Sequence, residues 1–203
     1  MKLTLGFTSP FVRKVRITAA VKGLSSSIEL VTKESDEETY LQIRRMNPLN
    51  KIPTLMLDNG QVLFDSHVIC EYLDSLAQHP RLFPQNEHER FSVLRLASLA
   101  DGLIEATLGI AMERRLRDEA FQLESWIERQ QLKIEAALSF LEAEPPRFAS
   151  PNYGDITLAC ALGYLDLRQD GRWRKHCPRL VNWHQKFSDA VPAYAETDPA
   201  NVN

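Results

Sequence analysis

The sequence predicts two domains, a small mixed α/β domain followed by a domain built only of helices. Strand and helix patterns alternate in the first part of the chain, and the alternation is interrupted at His79-Pro80. Only helical patterns follow, and this arrangement is typical of two separately packed units. We therefore predict a first domain over residues 1–79, a linker over 80–86 and an all-helical domain over 87–203.

Each element of the first domain has a local signal. An apolar run ends at Phe7, and Ser9-Pro10 opens a helical pattern that ends at Gly23, because serine caps helices and proline suits the first turn. Asp58-Asn59-Gly60 separates two β-rich runs and predicts a hairpin. The predicted order is strand, helix, strand, helix, strand, strand, helix, with the later elements at 28–31, 36–46, 53–57, 61–64 and from about 66 onward.

Helical periodicity continues through the second part of the chain. Long patterns cover residues 87–116 and 119–144, and Pro145-Pro146 stops the second of them. Two shorter helices are predicted at 156–167 and at 180–190, the latter behind Pro178. The second domain is therefore expected to contain four helices and no sheet.

The composition describes a globular protein. The 203 residues are 44% hydrophobic and 25% charged, with a formal net charge of -3. No apolar run reaches the roughly 20 residues that cross a bilayer, and no basic surplus exists to displace nucleic-acid counterions. We expect a cytoplasmic protein that binds neither membranes nor nucleic acids. Three dispersed cysteines, and five histidines without ligand spacing, predict neither disulfides nor a metal site.

Three short motifs of the first domain point to chemistry. Ser9 at a helix N-terminus suits an anion such as a thiolate, although a helix cap alone explains the same residue. The backbone of Ile52, just before Pro53 and its strand, suits pairing with an extended peptide. Asp65-Ser66 opens the last helix of the domain and suits either a cap or the charged head of an amino acid.

Together the three motifs fit one ligand, a γ-glutamyl-cysteinyl peptide, and the sequence resembles the soluble glutathione S-transferases. The resemblance lies in Ser9-Pro10-Phe11, Lys51-Ile52-Pro53 and Asp65-Ser66, with aspartate where the family usually has glutamate. It implies a thioredoxin-like first domain and the all-helical second domain of that family. The opening serine is similar to that of tau-like and many bacterial members, so chemistry through a protein cysteine is not expected.

The resemblance also implies the residues of a site. Ser9 would stabilise the thiolate of glutathione, the Ile52–Pro53 bond would be cis, and no metal would be needed. Asp101 would reach the glutathione ammonium bound in the other subunit of a homodimer. The implied residues are Ser9, Phe11, Lys51, Ile52, Pro53, Asp65, Ser66 and Asp101 for glutathione, and Phe11, Leu108, Met112 and Arg115 for a small hydrophobic electrophile.

The resemblance implies one further folding device. The family has a buried capping box at the start of its central C-terminal helix, and Asn152 and Asp155 would form it here. Asparagine replaces the usual hydroxyl residue, but both side chains accept hydrogen bonds from backbone amides. We therefore expect these two residues to serve folding rather than catalysis.

The implied activity is conjugation of glutathione to a small electrophile, or reduction of a peroxide. Two alternatives stay open: a non-catalytic interaction protein with the same architecture, and a glutathione-dependent isomerase. The intact Ser9, Lys51 and Asp65-Ser66 argue against the first alternative. The Ser-Ser-Cys opening that is usual in the isomerases is absent here, which argues against the second.

Overall fold

A computed structural model describes residues 1–201 of the chain. These residues separate into two units by their packing, one formed by Met1–Gln85 together with 191–201 and the other by Asn86–Ala190. The sequence predicts that the segment after residue 190 belongs to the helical domain. Its described part belongs to the first unit instead, because Tyr194 and Thr197 bind the side chain of Arg13 there.

The first unit is built on a four-stranded sheet, and its predicted order of elements is confirmed. The sheet order is β2-β1-β3-β4, with β1 parallel to β2 and antiparallel to β3, and with β3 antiparallel to β4. The elements are β1 (Lys2–Thr4), α1 (Pro10–Val21), β2 (Glu29–Val31), α2 (Glu37–Arg45), β3 (Thr54–Met56), β4 (Val62–Leu63) and α3 (Ser66–Ser75), and α8 (Ala193–Glu196) joins them from the end of the described chain.

Buried polar side chains tie the segment before β3 to strand β1. The Thr4 hydroxyl donates to the Thr54 carbonyl and accepts from the Thr54 amide, both at 3.2 Å. The Asn47 side-chain amide donates to the Lys51 carbonyl and to the Thr54 hydroxyl, both at 3.1 Å. Thr4, Asn47 and Thr54 are at most 3% exposed. Since buried polar groups need partners, this network holds residues 47–54 in one conformation.

A buried ion pair attaches the predicted linker to the first unit. The Lys22 ammonium lies 2.8 Å from the Asp74 carboxylate and also donates to the Pro80 carbonyl. The same carboxylate accepts hydrogen bonds from the backbone amides of Leu82 and Phe83. Leu82 and Phe83 are both buried. The stretch after Pro80 is therefore a packed part of the first unit, although its sequence has the composition of a linker.

The second unit contains the four long helices that the sequence predicts. The predicted second helix begins five residues late, because 119–121 form a 3-10 turn and the Leu123 amide donates to the Glu113 carboxylate instead of continuing a helix. The third and fourth helices begin three and two residues earlier than predicted. The elements are α4 (Glu87–Leu116), α5 (Glu124–Ala143), α6 (Tyr153–Gln169) and α7 (Pro178–Ala190), with a second 3-10 turn at Arg172–Lys175.

Helix α6 is the buried centre of this unit, and its predicted capping box is confirmed. The Asn152 side chain accepts from the Asp155 amide at 3.1 Å, and the Asp155 carboxylate accepts from the Asn152 amide at 3.2 Å. Gly154 lies against α4, where a Cβ atom would come within 2.8 Å of the Val93 carbonyl oxygen. Glycine at this position therefore lets the two helices approach closely.

The capping carboxyl group has an unusual protonation equilibrium. Burial raises the pKa of Asp155 to about 7, although the hydrogen bonds from Asn152 act in the opposite direction. One of its oxygens, Oδ1, has no hydrogen-bond partner among the described residues. Desolvation has the larger effect on the pKa. Burial of a carboxylate with one unpartnered oxygen destabilises the ionised form more than the hydrogen bonds from Asn152 stabilise it.

We predict that Asp155 makes the stability of the second unit depend on pH. Between about pH 4 and 7 the folded state binds the extra proton, so the free energy of unfolding falls as pH rises, by at most about 1.4 kcal/mol per pH unit. Asp155→Asn removes this component. All three tryptophans lie in the second unit, so urea unfolding followed by tryptophan fluorescence at pH 5 to 8 measures it. The exposed Asp118→Asn is the control, and parallel pH profiles for Asp155→Asn and wild type would contradict the prediction.

We predict that Asn47→Ala loosens residues 47–54. The buried Thr54 hydroxyl loses the amide donor and the Lys51 carbonyl loses one of its two donors, so the free energy of unfolding of the first unit should fall by about 1–3 kcal/mol. Hydrogen exchange of peptides that cover this segment measures the loss of protection. Asn59→Ala is the matched control, because Asn59 is exposed in the hairpin and its side chain accepts the Gln61 amide. Equal protection in the two variants would refute the role of Asn47.

Candidate functional site

Sheet topology brings the three motifs of the first unit to one edge. Strand β1 ends at Thr4, β3 begins at Thr54 and β4 ends at Leu63. Because β3 is antiparallel to both neighbours, these three strand ends share one edge of the sheet. Gly6 confirms the proximity, since a Cβ atom there would lie 3.0 Å from the Ile52 side chain. The turn that leads to Ser9 therefore lies against the segment that precedes Pro53.

Ser9 is the N-cap of α1, as predicted. Its amide donates to the Gly6 carbonyl at 2.9 Å, and its hydroxyl oxygen accepts from the Val12 amide at a long 3.4 Å. The side chain is half-buried, and its hydroxyl hydrogen meets no acceptor among residues 1–201. Capping and binding of an anion are therefore compatible roles, because the oxygen accepts from the helix while the O–H is free to donate outward.

The segment before β3 presents an unpaired stretch of backbone. The Ile52–Pro53 peptide bond is cis, as the sequence analysis expected. The neighbouring Lys51 carbonyl is occupied by Asn47 and Thr54, but the amide and carbonyl of Ile52 make no hydrogen bond within the described part of the chain. Ile52 is half-buried and Lys51 is exposed. This backbone has the donor and acceptor that an extended peptide needs.

Asp65 and Ser66 stand at the start of α3. The Asp65 carboxylate caps the helix by accepting from the His67 amide at 3.0 Å, and its side chain is exposed. Ser66 is 3% exposed, and its hydroxyl makes no hydrogen bond to residues 1–201. The peptide bond between Phe64 and Asp65 is also cis, which the sequence did not predict. A hydroxyl at a helix N-terminus beside a carboxylate suits a group that carries both charges.

The remaining candidates are distributed over both units. Phe11 is half-buried in the first turn of α1, with the Lys14 ammonium 5.2 Å from its ring centroid. Asp101 is half-buried on α4 in the second unit. The other candidates on α4, at helical spacing along it, are the half-buried Leu108 and Met112 and the exposed Arg115. An electrophile pocket formed by these residues and Phe11 stays a prediction.

Sequence reasoning missed the residues that support the site. Thr4, Asn47 and Thr54 carry no periodic signal, and their roles follow from pairing between strands about fifty residues apart. Arg13 was missed as well, because a charged residue inside an apolar helical pattern does not reveal its partner. The three cysteines, in contrast, are all buried.

No helix within residues 1–201 combines the length and apolar character that crossing a membrane requires. The same residues contain no group of three or more histidine, cysteine, aspartate or glutamate side chains arranged to hold a metal ion.

Comparison with known proteins identifies the family. Residues 8–76 match the family model "Glutathione S-transferase, N-terminal domain", and residues 124–186 match "Glutathione S-transferase, C-terminal domain". The chain is 32% identical to the uncharacterized GST-like protein YibF of Escherichia coli K12, over 98% of both chains.

Solved structures with similar folds cover almost the whole chain. A glutathione transferase family member from Pseudomonas fluorescens Pf-5, with bound glutathione, is 37% identical over 98% of both chains, with a TM-score of 0.87. A glutathione S-transferase from Methylobacillus flagellatus KT, also with glutathione bound, is 35% identical over 98% of both chains, with a TM-score of 0.88. These matches extend over both units, and the chain belongs to the glutathione S-transferase family.

Proposed function

We propose that this protein binds glutathione at the sheet edge and uses Ser9 to stabilise its thiolate for transfer to a small electrophile. The observation that carries the proposal is the Ser9 hydroxyl, which caps α1 while its hydrogen has no acceptor among residues 1–201. The glutathione-bound relatives support the choice of ligand. A serine in this role would make the protein a serine-type member of the family.

Each part of glutathione has a complementary group along this edge. The γ-glutamyl carboxylate would accept from the Ser66 hydroxyl and the N-terminus of α3, while Asp65 pairs with the ammonium. The cysteinyl unit would pair with the free backbone of Ile52 in the manner of an added strand. Lys51 is exposed beside it and would meet a carboxylate, where a solvated lysine contributes little.

The chemistry follows from the charge at sulfur. A free thiol has a pKa of about 8.5, so little thiolate exists at neutral pH. Hydrogen bonding from Ser9 and the positive end of the α1 dipole would both favour the anion. The thiol proton leaves to solvent, the sulfur electron pair forms a carbon–sulfur bond, and the leaving group departs with the bonding pair. Peroxide reduction would use the same thiolate. A non-catalytic glutathione-binding protein, in contrast, would not stabilise the thiolate of bound glutathione.

We predict that Ser9→Ala raises the pKa of bound glutathione's thiol by about 1–2 pH units, since hydrogen bonds to charged groups contribute about 1.5–3 kcal/mol. Ultraviolet difference absorbance of the thiolate across pH measures this value directly. Turnover with a haloaromatic acceptor should fall in parallel. The lost cap should cost about 0.5–2 kcal/mol of stability, which leaves the protein folded.

Ser66→Ala is the matched comparison, because it removes a second hydroxyl from a second helix N-terminus at the same edge. It should weaken glutathione binding, measured by calorimetry, with little effect on the thiol pKa or on kcat, because its contacts are equal in ground and transition states. An unchanged thiol pKa in Ser9→Ala would overturn the catalytic proposal. An unchanged dissociation constant in Ser66→Ala would remove that residue from the site.

We further propose that the protein forms a homodimer in which Asp101 approaches the glutathione ammonium of the partner. Large apolar side chains lie exposed on α4 and α5, with Phe91 at 61% and Phe140 at 59% exposure. A two-fold interface repeats each such contact, so a modest patch suffices.

We predict a dimer at micromolar concentration in sedimentation equilibrium, and a shift toward monomer in Phe140→Arg, because the charge cannot be buried at a seam. Phe121→Arg is the control, because Phe121 is 73% exposed but lies on the 3-10 turn that connects α4 to α5, outside both helices. A wild-type mass near 23.2 kDa would refute the dimer and with it the proposed role of Asp101.

A further inference from the structure

Arg13 connects the helix that Ser9 caps to the last described residues of the chain. It lies one helical turn after Ser9, and its backbone amide donates to the Ser9 carbonyl at 3.0 Å. This is the first hydrogen bond of α1. The Arg13 side chain is 4% exposed, so its guanidinium must find its partners inside the protein.

Those partners belong to residues 191–201, which we call the C-terminal segment. The guanidinium donates to the Tyr194 carbonyl at 2.7 Å and to the Thr197 hydroxyl at 3.4 Å. It lies 4.0 Å from the centroid of the Tyr194 ring and 3.7 Å from the Asp198 carboxylate. One side chain of α1 therefore contacts three residues of this segment by hydrogen bonds, a cation–π contact and charge.

Farther along α1 the packing against the same segment is incomplete. A cavity of about 180 Å³ lies there, lined by residues that include Arg16 and Ala20 of the helix and Glu196 and Thr197 of the segment. A gap of this kind forfeits dispersion contacts between the two surfaces. The hydrogen bonds from Arg13 to the segment lie on the N-terminal side of this cavity along the helix.

We propose that Arg13 is a positioning residue that lets the C-terminal segment hold the first turn of α1, and with it Ser9, in the geometry that stabilises a thiolate. The inference rests on the proposed function of Ser9. Movement of this turn changes the distance from the Ser9 hydroxyl to the sulfur and the direction of the helix dipole. The hydrogen bond from Ser9 and the attraction of the helix dipole for the thiolate both weaken when the first turn moves out of alignment with the sulfur.

The test replaces Arg13 with methionine, which keeps an unbranched apolar stem and removes the guanidinium. The pKa of the bound glutathione thiol should rise by about 0.3–0.7 pH unit, the range of a weakened interaction with a helix terminus. The fall in kcat should exceed the change in KM for glutathione. Asp198→Asn should give a smaller rise in the same direction, because it weakens the 3.7 Å ion pair and leaves both hydrogen bonds of Arg13 in place.

Lys22→Met is the matched control. Lys22 is also a buried cation of the α1 region, but it lies at the opposite end of the helix and pairs with Asp74. Both methionine variants should lose stability, measured by hydrogen exchange in α1, because each leaves buried polar partners without a cation. Only Arg13→Met should change the thiol pKa.

The outcomes separate the inference from the proposal on which it rests. An unchanged thiol pKa in Arg13→Met, or an equal rise in Lys22→Met, would overturn the positioning role and leave Arg13 a purely structural residue. If Ser9→Ala raises the pKa and Arg13→Met does not, only this inference fails, whereas a null effect of Ser9→Ala refutes the proposed function. Should Arg13→Met fail to fold, Arg13→Lys and Asp198→Asn decide the question by the same titration.

Discussion

The antiparallel pairing of β1 with β3, reinforced by hydrogen bonds between the Thr4 hydroxyl and the Thr54 backbone, is the constraint on which the candidate site depends. Three chain segments far apart in sequence reach one sheet edge only because β3 reverses direction between its neighbours. The hydroxyl of Thr4 both donates to and accepts from Thr54, and Asn47 extends the network to Lys51. Residues 47–54 are thereby fixed from inside the unit, which leaves the Ile52 backbone unpaired at its edge.

Buried cations of the α1 region perform a related task for the stretch after α3 and for the C-terminal segment. Lys22 binds Asp74 and the carbonyl of Pro80, and Arg13 binds Tyr194 and Thr197. Each cation satisfies backbone or hydroxyl acceptors as well as a carboxylate, as burial of a charge requires. The helix that begins at Ser9 is therefore anchored at both ends by polar contacts, in addition to its apolar face.

Local chemistry made much of the fold predictable. Ser9-Pro10 and Asp58-Asn59-Gly60 act within a few residues of themselves, and the helix start and the hairpin occur as predicted. The capping box of Asn152 and Asp155, which the family resemblance implied, also occurs. The predicted start of a helix was less accurate where a tertiary contact competed with the helical hydrogen bonds for the same backbone amide. Residues 119–123 have helical periodicity, yet the Glu113 carboxylate captures the Leu123 amide and delays α5 to Glu124.

The sequence by itself determined the two-part architecture, the order of elements and the identity of the three motifs, because periodicity, caps and turn residues act locally. Only the tertiary structure decided that residues 191–201 pack with the first unit, that Asn47 supports the segment before β3, and that Arg13 binds Tyr194 and Thr197. These are contacts of polar side chains with partners distant in sequence. Such side chains have many possible partners in the chain, and only the packed backbone selects one of them.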